Sequence, residues 1–181
     1  MKKRLAIFGI LLSAILTISW LSDDNSFMDR FVNLPESVKM YFYIEKYSDK
    51  YGIPKNIAYG IPHYESGYNG PDDTAYNPKN KISTHKAYGA MQLKCATANY
   101  VSDTTVTKKD LLNNTELNVE LSYKLLNRLH EKYGSWKLAL GAYNTGKPVV
   151  NKYATKIIKF NHAKYVKKDN ELLAYAIKQS N

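Results

Sequence analysis

The residue with the strongest claim to chemistry is Glu65, in the run Tyr64-Glu65-Ser66-Gly67-Tyr68. A lone carboxylic acid serves as a general acid when its surroundings keep it protonated near neutral pH. Ala58, Ile61 and Glu65 lie at i−7, i−4 and i, which puts the carboxyl in line with apolar side chains on one helical face. Gly67 reads as the stop of a helix over 55–66, so Glu65 falls in the last turn. There the helix dipole disfavours negative charge, and partial burial acts in the same direction. Pro62 lies inside this helix, cannot donate to the carbonyl of Ala58, and should kink the last turn. On its own, Glu-Ser-Gly fits a solvated helix end better than a catalytic site.

Other reactive groups are sparse. Cys95 is the single cysteine, so the chain has neither an intrachain disulfide nor a CxxC metal site. It reads as a small buried residue. His63, His85, His130 and His162 lack metal-ligand spacing, and no metal or other cofactor is expected. His63 is two residues from Glu65 and therefore points to another helix face. Asp72 and Asp73 are the nearby carboxylates, of a type common in turns.

The elements around Glu65 are predominantly helical. Tyr43, Ile44, Tyr47 and Tyr51 recur at helical spacing, with Gly52 as a stop and Pro54 suited to the start of the next helix. Residues 67–87 are polar and rich in Gly, Pro, Asn and Lys, and form a long loop. A short helix is expected around 90–100. Leu117, Leu121, Leu125, Leu126 and Leu129 mark a helix over 115–133 that ends at Gly134. Ser135 is placed to cap another over 136–143, and 148–178 reads as two short helices. The chain has 16 Tyr, whose flat faces suit sugars, but most are expected to fill the core.

Lys2-Lys3-Arg4 precedes an apolar run from Leu5 to Leu21, the pattern of an export leader with its basic end inside. As a helix the run would span ~25 Å, slightly short of a bilayer core. Residues 1–22 are therefore a signal peptide or an N-terminal membrane anchor. Residues 23–42 form a tether, 43–170 one globular domain, and 171–181 a tail. The remainder is expected in the periplasm or cell envelope, with the membrane engaged through the N-terminal segment alone. The net charge of +10 attracts polyanions. No helix-turn-helix, zinc-finger or RNA-recognition signature points to nucleic acid.

Further blocks give Glu65 its context. Downstream stand Gly89-Ala90-Met91-Gln92-Leu93, then Asn118-Val119, then Ala142-Tyr143-Asn144-Thr145-Gly146, and Tyr165-Val166. In this order they resemble the SLT family of lytic transglycosylases, in the lysozyme-like superfamily, over residues 47–166. Lys94-Cys95 departs from the Met-Pro that often follows the Gln-Leu, and the 67–87 loop is longer than usual.

The resemblance implies a mostly α, α+β lysozyme-like domain with a small β-hairpin around 67–87. It implies that Glu65 is the catalytic acid and base, and that Ser66 supports its turn. Gly89 would let the backbone approach a sugar. Met91 and Gln92 would line the cleft floor, although packing explains Met91 equally well. Tyr143 would place its hydroxyl near Glu65, and Asn144 would hold the Tyr143 loop or reach the sugar. The implied substrate is the peptidoglycan glycan strand, cut between N-acetylmuramic acid and N-acetylglucosamine to leave a 1,6-anhydro end. The chain's size resembles forms that open the wall for secretion, conjugation or pilus machinery. The alternatives are a goose-type lysozyme, which would use Asp72 or Asp73 as a second carboxylate, and a non-catalytic wall-binding protein.

Overall fold

Pro35 and Pro54 stand immediately before the first two helices, α1 (Glu36–Lys50) and α2 (Lys55–Ser66). A proline there supplies a fixed φ and lacks an N–H that the first turn would leave unpaired. The computed structural model describes residues 34–166. After a 3₁₀ turn at Pro78–Asn80 come α3 (Cys95–Val101), α4 (Lys108–Asn113), α5 (Thr115–Tyr133), α6 (Trp136–Thr145) and α7 (Lys152–Ile158). The described residues are thus mostly helical, as the periodicity implies.

The long helix α5 is the spine. Val119, Tyr123 and Leu126 on it are fully buried, and it packs against α1, α3, α4 and α6. On one side it meets Met40, Ile44 and Tyr47 of α1 in the larger core cluster. On the other, Leu121 and Leu125 meet Val101, Val106 and Leu111 beneath α3 and α4. Eight of the fifteen tyrosines in the described residues are buried, Tyr59, Tyr68 and Tyr123 fully so. Polar links close the α1–α5 edge. The Tyr47 hydroxyl and Lys46 Nζ donate to Glu116 at 2.8 and 2.7 Å, and Lys50 Nζ donates to Glu120 at 2.6 Å.

Pro62 does lie inside α2, and its missing N–H leaves the Ala58 carbonyl without its helical donor. The Tyr123 hydroxyl of α5 takes that place, donating to Ala58 O at 2.7 Å. The proline that interrupts α2 thereby ties it to the spine. At the end of α2, Gly67 adopts φ 79°, a left-handed conformation that costs other residues about 1 kcal/mol or more.

The 67–87 loop is anchored by burial of Tyr68, Tyr76 and Pro78. It is also bonded to α1: Ser37 Oγ donates to Pro71 O, and the Tyr68 hydroxyl donates to Ser37 O. The expected hairpin is reduced to single antiparallel bridges, Ile82 with Tyr88 and Tyr88 with Leu93, too short for a ladder.

Other expectations shift in detail. The helix begins at Glu36, inside the segment read as a tether, because Val38, Met40 and Tyr41 already face the core. The helix expected around 90–100 runs from Cys95 to Val101. α4 was not anticipated, although its capping box is present in the sequence. Thr107 Oγ1 accepts from the Asp110 N–H, and the Asp110 carboxylate accepts from the Thr107 N–H. Ser135 holds the cap position of α6, but its side chain makes no capping hydrogen bond. The leader 1–22, the tether up to residue 33, the tail 171–181 and the second short helix expected before 178 lie outside the described residues.

Replacing Tyr123 with Phe removes the donor and leaves Ala58 O buried and unpaired. The expected loss is about 1–3 kcal/mol, read as a lower urea midpoint at unchanged m.

Candidate active site

Glu65 sits on the last turn of α2, half-buried. Its Oε1 accepts one hydrogen bond, at 2.6 Å, from the Tyr153 hydroxyl of α7. Burial raises the Glu65 pKa above the ordinary carboxylate value, and the Tyr153 hydrogen bond opposes that rise only in part. Burial also pushes the Tyr153 phenol well up, with the Glu65 charge adding to it, so Tyr153 remains a neutral donor. The result is a carboxyl biased toward its protonated form and held by one proton-bearing neighbour.

Tyr153 was not anticipated. The resemblance assigns the hydroxyl beside Glu65 to Tyr143, but Tyr143 donates instead to Met91 O at 2.7 Å. Tyr143 is still close to Glu65: burial raises its phenol, and the Glu65 charge raises it further. The Glu65–Tyr153 pair is separated by 88 residues in the chain, a distance at which no spacing rule connects two side chains.

The way α7 is held does involve an anticipated residue. Asn144, at the end of α6, accepts through Oδ1 from Asn151 Nδ2 at 3.2 Å. Asn151 is the N-cap of α7 and accepts from the Ala154 N–H at 2.8 Å. This bond links the end of α6 to the N-cap of α7, the helix that carries Tyr153.

The 88–93 turn is clamped from two helices. Asn118 of α5 is fully buried. Its Oδ1 accepts from the Met91 N–H at 2.9 Å, and its Nδ2 donates to Tyr88 O at 2.9 Å and Leu111 O at 3.2 Å. Tyr143 holds the opposite end of the Met91 peptide. Met91 itself is fully buried in the larger core, so its side chain packs inside rather than lining a surface.

Gly89 has φ 77°, and a Cβ there would lie 2.5 Å from Leu111 O and 2.7 Å from Asn118 Nδ2. Its missing side chain makes room for Asn118, a packing reason distinct from the expected approach of a sugar. Gln92 is held at φ 49°, a strain of about 1–3 kcal/mol of the kind concentrated at functional sites. Its Nε2 donates to Gly89 O at 2.9 Å and Lys81 O at 3.2 Å, which leaves its carbonyl oxygen for other partners.

Ser66 supports the neighbouring loop. Its Oγ donates to Pro62 O and lies 2.8 Å from the Tyr76 hydroxyl. Tyr76 forms part of a cleft of about 360 Å³ lined by Gly67, Asp73, Ala75, Asn77, Asn80 and Lys81. Glu65 is not in that lining; the cleft begins two residues beyond it. His63 does point elsewhere, into an aromatic cluster with Phe160 and Tyr165. Among the described residues, no His, Cys, Asp and Glu side chains gather in threes as a metal site. No described helix is long and apolar enough to cross a membrane.

A family model described as "Transglycosylase SLT domain" matches residues 42–176, most of the chain. No curated protein matches it.

The raised Glu65 pKa has a signed consequence for stability. Below the ordinary carboxylate range, folded and unfolded states are both protonated and the burial penalty is absent. As pH rises through the folded pKa, the native state holds a proton that the unfolded state has released, and stability falls. Glu65→Gln removes this titration while keeping an oxygen able to accept from Tyr153. The substituted chain should gain stability relative to the original as pH rises from 3 to 8. Paired urea melts across that range measure it, and a pH-independent difference would contradict the burial of Glu65.

Proposed function

The chain belongs to the transglycosylase SLT domain family of peptidoglycan-acting lytic transglycosylases, and from that premise we propose that it cleaves the β-1,4 bond between N-acetylmuramic acid and N-acetylglucosamine without consuming water. The observation that carries the proposal is the half-buried Glu65, whose pKa burial raises above the ordinary value and whose carboxyl is held by the neutral donor Tyr153. Protonated Glu65 delivers its proton to the bridging oxygen as the bond to muramic C1 breaks. The positive charge at C1 is covered by the carbonyl of the sugar's own N-acetyl group, as in substrate-assisted glycosidases. The carboxylate then accepts the proton of the muramic 6-hydroxyl, whose oxygen bonds to C1. Glu65 ends as it began, and the product is a 1,6-anhydro ring.

Tyr153 occupies Oε1, so Oε2 is the oxygen available to exchange the proton. In this reading the strained 89–92 turn presents the Gln92 carbonyl oxygen to a sugar N–H. Tyr76, held by Ser66, forms a wall of the strand-binding cleft. Tyr143, Gly89, Met91 and Asn144 act through the backbone they position. The substrate lies outside the cytoplasm, which is where the basic-then-apolar leader would carry the chain. Wall opening for a secretion, conjugation or pilus machine is the biological setting we propose.

The presence of Asp73 in the cleft wall favours one second reading, a hydrolytic lysozyme with Asp73 positioning water. Mass spectrometry of the soluble products from purified peptidoglycan distinguishes the two. Muropeptides with 1,6-anhydro ends are expected, one water lighter than hydrolytic products. Reducing muramic ends would transfer the assignment to Asp73. Glu65→Gln should lower cleavage by about 10²–10⁴-fold.

Tyr153→Phe should lower turnover by about tenfold. It also removes the hydrogen bond that favours the Glu65 carboxylate, so the alkaline limb of the kcat/KM profile should move to higher pH. An unmoved limb would mean that Tyr153 does not tune the acid.

A further inference from the structure

Among the lysines of the described residues some are ion-paired and others, in several parts of the chain, are not. Those of α1 and the start of α2 are matched to acids: Lys46 to Glu116, Lys50 to Glu120, and Lys55 to both Glu45 and Asp49. From Gly146 to Val166 the chain carries Lys147, Lys152, Lys156, Lys159 and Lys164, with no Asp or Glu in the segment. Among the described residues, none of these five lysines has a carboxylate within ion-pair distance.

Their position is specific. Lys152 and Lys156 lie one residue before and three residues after Tyr153 on α7, and thus within one turn of the group that holds Glu65. With Val150, Asn151 and Thr155 they line an open depression of about 640 Å³. Lys156 Nζ lies 5.8 Å from the ring centre of Tyr64, the exposed residue preceding Glu65. Val150, 56% exposed, adds an apolar patch to the same depression. An open surface with two ammonium groups unmatched among the described residues and a small apolar patch fits a short peptide that carries carboxylates.

We propose that this depression binds the carboxylates of the peptide stem on the muramic sugar being cleaved, an inference that rests on the transglycosylase reading above. The stem is attached at the lactyl group on C3 of the same sugar whose C1 reacts. With C1 at Glu65, a stem that projects toward α7 would lie alongside it. A few extended residues at ~3.5 Å each are long enough to cross the depression. The unmatched charge would draw the stem in, and it would do so less strongly at high salt. Strands whose stems lack free carboxylates lose this contact.

The test uses the full chain carrying Glu65→Gln, so that bound strands stay uncut. Its affinity for purified wall is compared with and without the added pair Lys152→Gln and Lys156→Gln. A second wall sample has its carboxyls converted to neutral amides. For exposed ion pairs, the paired substitution should weaken binding to untreated wall by about fivefold, with a shallower salt dependence. On amidated wall the two proteins should bind alike. Equal weakening on both walls, or no weakening on either, overturns the proposal. Vesicles containing phosphatidylglycerol provide the other polyanion: if the lysine pair matters for vesicles and not for wall, the site serves a lipid surface and the proposal fails. Unchanged melting temperatures confirm that the substituted chains fold. The comparison reads binding alone, so a lack of anhydro products from the unsubstituted chain would overturn the catalytic reading separately.

Discussion

A single buried amide organises the centre of this molecule. Asn118 satisfies three main-chain groups, the Met91 N–H and the carbonyls of Tyr88 and Leu111. Buried peptide groups must be paired, and an irregular turn has no ladder to pair them. Asn118 therefore takes over what a hairpin would otherwise provide, which is consistent with the two single bridges that remain there. Gly89 has no side chain because the amide occupies that space. From this fixed turn, Met91 O receives the Tyr143 hydroxyl, which ties α6 to α5 across the turn.

The same arrangement sets the environment of Glu65. α6 ends at Asn144, Asn144 bonds to the cap of α7, and α7 delivers the Tyr153 hydroxyl to the carboxyl. On the other side, α2 is held through the carbonyl that Pro62 leaves open, which Tyr123 of α5 fills. Two opposing effects meet at Glu65. Burial favours the neutral acid, and one hydrogen bond favours the anion, with burial the stronger. A group that must give up a proton and then recover it needs both forms within reach, and that balance provides them.

Charge is distributed as unevenly as packing. The α1–α5 edge neutralises its own lysines, where ion pairs at an exposed surface contribute little to stability. Among the described residues, the lysines of the α7 segment have no ion-pair partner. The overall charge of +10 therefore says less than its placement does.

Much was legible in the residues themselves. Leucines at helical spacing, stop glycines and helix-starting prolines marked α2 and α5 to their ends, because these signals act over one or two turns. The motifs around Glu65, Gln92 and Tyr143 identified the family, since each keeps its meaning within a short segment. The sequence also placed Pro62 inside a helix and identified the carbonyl it would orphan, though not that Tyr123 would fill it. Tertiary structure alone decided which hydroxyl reaches Glu65, that Met91 is core, and that Gly89 yields its space to Asn118. Those outcomes depend on contacts between segments 27 to 88 residues apart. Local propensity determines where helices begin and end, but it carries no information about which faces meet once hydrophobic burial has packed them together.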